Sequence, residues 1–264
     1  MNSSKCFLLF LFVQSLWAKE PIYLNNTGPI SFVTKKIYAF GGTINVRKKP
    51  HLRSEKLFKV MEGTPLSIVK ISNILERVGN KNLNWIQIQT KEGRSGYIYS
   101  SFTTPFAYSI GKNILLLGIS EKYKNNFEFR LLSQKKKLLK KWTLESMPKG
   151  STQLVLKKNY FGKNHHGLLM ETSIGNACPV GYDYRIYSFY RNKLLLLRKK
   201  QGGADPPVAS EYTYKFKKNA IYELKEDYEQ SEENKKDFST RTQRKFIYSK
   251  GRLVQKMEKN LLKK

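Results

Sequence analysis

Apolar and polar residues alternate with a period of two in several stretches of the chain. In Glu211–Lys217, Tyr212, Tyr214 and Phe216 share one side, while Glu211, Thr213, Lys215 and Lys217 share the other. Phe127-Glu-Phe-Arg-Leu131 alternates in the same way. This period sends successive side chains to opposite faces of a half-buried strand. Tight polar links recur: Ser133-Gln134 with the lysines that follow, the Gly162 to Gly167 turn, Arg191-Asn192, Lys218-Asn219 and Lys250-Gly251, the last three each between two β-prone runs. They recur at intervals of roughly 30 residues, a spacing suited to two strands per unit. The pattern predicts an all-β protein. A small barrel occupies 37–103, and a larger antiparallel β-meander or propeller-like domain occupies 106–264, with Thr103-Thr104-Pro105 closing the first.

A few segments break the alternation. Gly202-Gly-Ala-Asp-Pro-Pro207 reads as a loop. Residues 223–237 carry seven acids, Glu223, Glu226, Asp227, Glu229, Glu232, Glu233 and Asp237, and read as a solvated loop or short helix. Leu253 to Lys264 reads as a short amphipathic helix. At the other end, Lys5 precedes an unbroken apolar run from Cys6 to Val13, and Ala18 ends the segment. This is the pattern of a secretory signal peptide, 1–18, too short to span a bilayer as a helix. Residues 19–36, with Asn-Asn and Gly-Pro, form an extended leader. The expected location is exported, either periplasmic or extracellular and associated with the cell envelope.

Charge changes the picture of possible partners. The formal net charge is +29, from 38 Lys and 11 Arg against 20 acids. Removing 1–18 takes away one lysine and no acid, leaving +28. Such a chain suits anionic surfaces. The cations are mostly lysine and are scattered, whereas base readers lean on arginine forks, so sequence-specific nucleic-acid recognition is not expected. The expected mature chain keeps one cysteine, Cys178, which excludes a disulfide framework within one chain.

Within 37–103 the motifs are closely spaced. Ile44-Asn45-Val46-Arg47 leads to Pro50 and to Ser54 ahead of Leu57 and Val60; Gly63-Thr64, Leu66 and Ile68 follow. Then come Asn84-Trp85-Ile86-Gln-Ile88, Gly93, Gly96-Tyr97-Ile98 and Ser100-Ser101-Phe102. Val46, Leu57, Val60, Leu66, Ile68, Trp85, Ile86, Ile88 and Ile98 supply apolar anchors for about five short strands. Gly63 suits a tight turn, and Gly96 a close backbone approach. This stretch resembles the bacterial SH3-type domain. It departs from the usual pattern at Lys48 and Lys49, at Tyr97-Ile-Tyr99, and in a longer loop from Ile71 to Asn84. The resemblance implies a recognition module for peptidoglycan peptides or another envelope polymer. Candidate ligand-binding residues are Arg47, Lys48, Lys49, Arg53, Trp85, Tyr97 and Tyr99. Trp85 also reads as core and Arg47 as a brace; Tyr99, alternating with the inward Ile98, reads as a surface ring.

No catalytic set accompanies the module. Cys178 sits in Asn-Ala-Cys-Pro-Val, a turn rather than the helix start a thiolate nucleophile needs. His165 and His166 fall in the turn 163–167 with no further Cys or His to complete a metal site. No phosphate-binding glycine loop and no nucleophile elbow occurs. The expectation is a non-enzymatic protein with neither metal nor cofactor. The alternatives are an electrostatic polyanion binder and a wall-processing enzyme.

Overall fold

The computed structural model describes residues 23–25, 35–79, 81–120, 126–144, 150–174, 181–205, 208–217, 220–230 and 236–261. The leader segment 1–22 with its cleavage site, Cys178, the Lys218-Asn219 link, and Glu232 and Glu233 lie outside them.

Every long element is a strand, as the alternation predicts. After β1 (Tyr23–Asn25) come β2 (Lys36–Ala39), β3 (Thr43–Arg47), β4 (Lys56–Met61), β5 (Pro65–Val78), β6 (Lys81–Gln89), β7 (Ser95–Tyr99) and β8 (Thr103–Thr104). The last seven form one antiparallel sheet in the order β4-β3-β7-β6-β5-β2-β8. It curls around an interior of Ile37, Ala39, Ile44, Val46, Val60, Leu66, Ile86, Ile88 and Ile98. Its end strands β4 and β8 do not pair with each other, so the sheet is a seven-stranded half-barrel rather than a closed five-stranded one. Gly63 takes a φ of 75° in its turn. A Cβ on Gly96 would lie 2.6 Å from Val46 Cγ1 and 2.8 Å from Arg47 O, so β7 can cross β3 only with glycine there. Leu57, expected inside, is 43% exposed on the edge strand β4. The expected loop 71–84 is instead a hairpin arm in which β5 and β6 continue to pair, Val78 opposite Lys81.

Pro105 separates two sheets. β8 ends at Thr104, and β9 (Phe106–Ile110) opens a four-stranded sheet with β10 (Asn113–Ile119), β11 (Phe127–Leu132) and β12 (Leu138–Thr143), ordered β12-β11-β10-β9. This sheet is a middle layer. Leu116 and Leu132 on one face pack with Phe40 of the half-barrel. Leu115, Leu117, Phe127, Phe129 and Leu131 on the other pack against Leu154, Leu168, Met170, Tyr187 and Phe189. Burial on both sides accounts for the near-continuous apolar run of β10. It also corrects the reading of 127–131: Glu128 and Arg130 alternate as expected, yet both are buried.

The remaining strands are β13 (Gly150–Gly162), β14 (His165–Ile174), β15 (Gly181–Tyr190), β16 (Lys193–Asp205), β17 (Val208–Lys217), β18 (Ala220–Gln230), β19 (Lys236–Ser249) and β20 (Arg252–Asn260). They join in sequence order, with β1 added beside β13, into a nine-stranded antiparallel meander. The described residues take the meander form of the prediction, one continuous sheet rather than separate blades. Arg191 and Asn192, both with positive φ (47° and 58°), make the primed turn that matches strand twist. β16 pairs with β17 only through Gly203–Ser210, Ala204–Ala209 and Asp205–Val208. Beyond that seam the sheet folds over itself, bringing Tyr184 and Ile186 against Tyr214, Ile221 and Phe246.

Three sequence expectations fail here, each because pairing supplies what local composition lacks. Residues 202–205 are strand, since the glycines pair with Gly181 and Tyr182 across β15. Glu223 to Gln230 lie in β18, with Glu223 fully buried and matched by arginines from neighbouring strands. The stretch from Leu253 extends β20 as the sheet's last strand rather than a helix.

Candidate ligand cleft of the half-barrel

Alternation along β3 sends Ile44 and Val46 inward and leaves Thr43, Asn45 and Arg47 on the outer face. The same rule places Trp85 on the outer side of β6 beside inward Ile86, and Tyr99 on the outer side of β7 beside inward Ile98. In an isolated barrel both rings would be solvated. Here Trp85 is 1% exposed and Tyr99 2%. They pack with Leu83, with Val78 at the end of the hairpin arm, and with Leu52 and Phe102. Tyr99 is therefore not a surface ring.

One side chain holds this outer layer together. Glu76, on the arm, accepts from Trp85 Nε1 (2.9 Å) and from the backbone N–H of Leu52 (3.0 Å to Oε2). His51 Nε2 lies 3.5 Å from its other oxygen. The Tyr99 hydroxyl donates to Glu76 O (2.8 Å) and accepts from Leu83 N (3.0 Å). Burial raises the Tyr99 phenol above its ordinary value, so the ring stays neutral as a structural donor. The Trp85 and Tyr99 rings meet edge to face at 5.5 Å, and Phe102 continues the row at 6.1 Å from Tyr99.

Between this aromatic row and β3 lies a cleft of about 110 Å³. Asn45, Arg47, Trp85, Tyr99, Leu52 and Phe102 all line it. Arg47 Nη1 donates to Ser54 O at 2.7 Å, which braces the 48–55 loop while the residue faces the cleft. Asn45 Oδ1 is buried and accepts no hydrogen bond. An unsatisfied buried acceptor of this kind is costly unless a ligand or water completes it. The cleft is smaller than the usual small-molecule site, roughly 300 Å³ or more, and suits one residue or a terminal group of a larger polymer. Its chemistry is an amide-type acceptor, a guanidinium for a carboxylate and an apolar ring row.

Residues 42–104 match the family model described as the bacterial SH3 domain. This segment is a bacterial SH3 domain. The domain covers roughly a quarter of the chain, from the turn before β3 to β8. Neither the curated proteins nor the solved structures include a match to the chain.

Of the sequence candidates, the SH3 domain gathers Arg47, Trp85 and Tyr99 at the cleft. Tyr97, opposite Arg47 in register, packs on the same aromatic cluster but does not line the cleft. Lys48, Lys49 and Arg53 flank it from an exposed loop. The Lys48 ammonium pairs with Glu55 (3.0 Å), and the Lys49 backbone N–H donates to Ser54 Oγ (2.8 Å). Asn45 and Glu76 were missed. Asn45 was legible, two residues from Arg47 on one strand face; Glu76 was not, because only the pairing of the arm brings it over Trp85.

Elsewhere, His165 and His166 lie at the start of β14 rather than in the turn. His165 Nε2 meets Ser188 Oγ (3.1 Å), and His166 Nδ1 accepts from Asn159 N (3.1 Å). Among the described residues no group of three or more His, Cys, Asp or Glu side chains could hold a metal ion.

Proposed function

We propose that the protein is an exported, non-enzymatic envelope protein whose SH3 domain recognises a peptide element of peptidoglycan or a similar surface polymer. Bacterial SH3 domains are cell-wall and peptidoglycan-binding modules. The observation that carries the reading is the cleft, where Asn45 Oδ1 lacks a donor and Arg47 stands one strand position away on the same face. A stem peptide offers both partners, an amide N–H and a carboxylate. The meander and middle sheet act as the scaffold on which the domain is mounted.

The test is retention of the full chain on purified sacculi. The domain should not be excised, because Phe40 and Glu62 pack into the middle sheet. Retention at physiological salt that falls about tenfold in Asn45→Leu and in Arg47→Ala is expected. Retention of both variants at the level of the unaltered chain would refute the cleft as the binding site.

A further inference from the structure

A second cleft, of about 380 Å³, lies away from the SH3 domain. Trp142 and Lys140 from β12 form one wall. Tyr190, Lys193 and Leu195 from the β15–β16 hairpin form the other, with Tyr248 of β19 behind them. The walls are tied together where Trp142 meets Phe189 edge to face at 6.0 Å.

Large apolar side chains also stand exposed on the two elements that carry the cleft, Leu138 and Leu139 on the edge strand β12, and Leu195 and Leu196 on opposite sides of β16. Leu138 is 43% exposed, Leu139 46%, Tyr190 36%, Leu195 46% and Leu196 38%. They account for five of the eleven large apolar side chains that stand exposed among the described residues. Clustered exposed apolar residues mark interaction surfaces, whereas single ones do not. Interleaved with them are exposed cations: Lys135, Lys137, Lys140, Arg191 and Lys193. Lys140 Nζ lies 5.6 Å from the Trp142 ring centre, and the Arg191 guanidinium 5.1 Å from that of Tyr190. No acid occurs in 129–143 or in 184–204.

We propose that this face, the β12 edge with the β15–β16 hairpin, docks on an anionic lipid surface. Leucines enter the headgroup boundary, Trp142 and Tyr190 sit at that boundary with one polar edge each, and the lysines reach lipid phosphates while their stems stay apolar. The two halves of the patch reinforce each other, because charge attracts from a distance and apolar contact holds at short range. A second copy of the chain fits less well. Two such faces would set lysine against lysine with no acid to answer it. An acidic glycan would use the rings and cations but would leave the four leucines without a role.

Net charge alone attracts any protein this basic, so the test must separate the patch from bulk charge. The probe is co-sedimentation of the full chain with vesicles of phosphatidylcholine alone, or of phosphatidylcholine mixed with phosphatidylglycerol. Binding to the mixed vesicles only is expected. The charge-preserving variant Leu138→Ser/Leu195→Ser should weaken it about tenfold or more, with unchanged thermal unfolding. Lys140→Gln/Lys193→Gln should weaken it more than Lys256→Gln/Lys259→Gln, which removes the same charge from β20. Binding that ignores the leucines, or that falls equally for both lysine pairs, would overturn the proposal. So would a dimer in solution that the leucine variant dissociates without any vesicle binding. Loss of sacculus retention by the Arg47 variant would leave vesicle binding untouched, so the two sites are tested separately.

Discussion

The SH3 half-barrel and the folded-over meander enclose interiors of opposite character. The buried half-barrel interior is aliphatic, nine Ile, Val, Leu and Ala side chains with Phe58 and Phe102 at its margin, and it holds no charged group. The meander encloses Glu223, fully buried. That carboxylate is held by Arg198 (2.7 Å and 2.8 Å), by Arg244 (3.1 Å) and by the Tyr214 hydroxyl (2.7 Å). Arg198 also lies over the Phe246 ring at 4.2 Å. These partners hold the Glu223 carboxyl below its ordinary value despite burial. A short-stranded barrel defines its register through small residues and tight turns. A meander of long strands with similar faces can slip by two residues without exposing its apolar side. A buried ion cluster whose partners come from β16, β17 and β19 is satisfied in one register only, so charge does in the meander what shape does in the half-barrel.

Breaking the cluster should have the largest effect. Glu223→Ala leaves Arg198 without its carboxylate and Arg244 with Glu258 alone, and is expected to cost about 3 kcal/mol in denaturant unfolding, since removing one partner of a buried pair leaves its charge uncompensated. Replacing Glu223, Arg198 and Arg244 together by leucine should recover much of that stability while broadening the native amide spectrum through register exchange. Recovery with a sharp spectrum would mean that apolar contacts alone set the register. In the half-barrel, Ile88→Ala should cost about 2–4 kcal/mol by leaving a cavity, with no change in spectral sharpness.

Between the two regions lies a third arrangement. Glu62, at the turn before β5, accepts from Gly41 N (3.0 Å) and from Arg130 Nη1 (3.1 Å); Arg130 also pairs with Glu128 and lies 4.7 Å from the Phe40 ring centre. Glu62→Gln keeps the shape and removes the charge. It should cost about 1–3 kcal/mol and raise amide exchange in β2 and β11 first.

The smallest expected effect is that of pH. Burial lowers His165 and His166 below their ordinary 6.5. The unfolded chain therefore takes up protons first, and stability complete above that value is lost as pH falls from 6.5 toward the folded values. The half-barrel has only His51, which is exposed. A fall in melting temperature from about pH 7.5 to about pH 5.5 should be flattened in His165→Asn/His166→Gln, and the β14–β15 amides should report it before those of β6 and β7.

These contrasts also explain what could be read along the chain. Strands, turns and the SH3 domain followed from period-two alternation and from Gly63 and Gly96, because those features act locally. Tyr99 was misplaced because alternation tells which side of a strand a residue takes, but not what covers that side; the arm bearing Glu76 covers it. Glu128 and Arg130 were legible as one face and illegible as buried, since the half-barrel that covers them lies more than 60 residues away, at Glu62. The acidic run looked solvated because its arginine partners come from other strands.

In the function proposed, the half-barrel cleft binds wall material through Asn45 and Arg47. Sacculus retention of the full chain with each residue replaced in turn measures it directly. Retention is expected to drop about tenfold in either variant, with both variants still unfolding cooperatively. Full retention by both would contradict it.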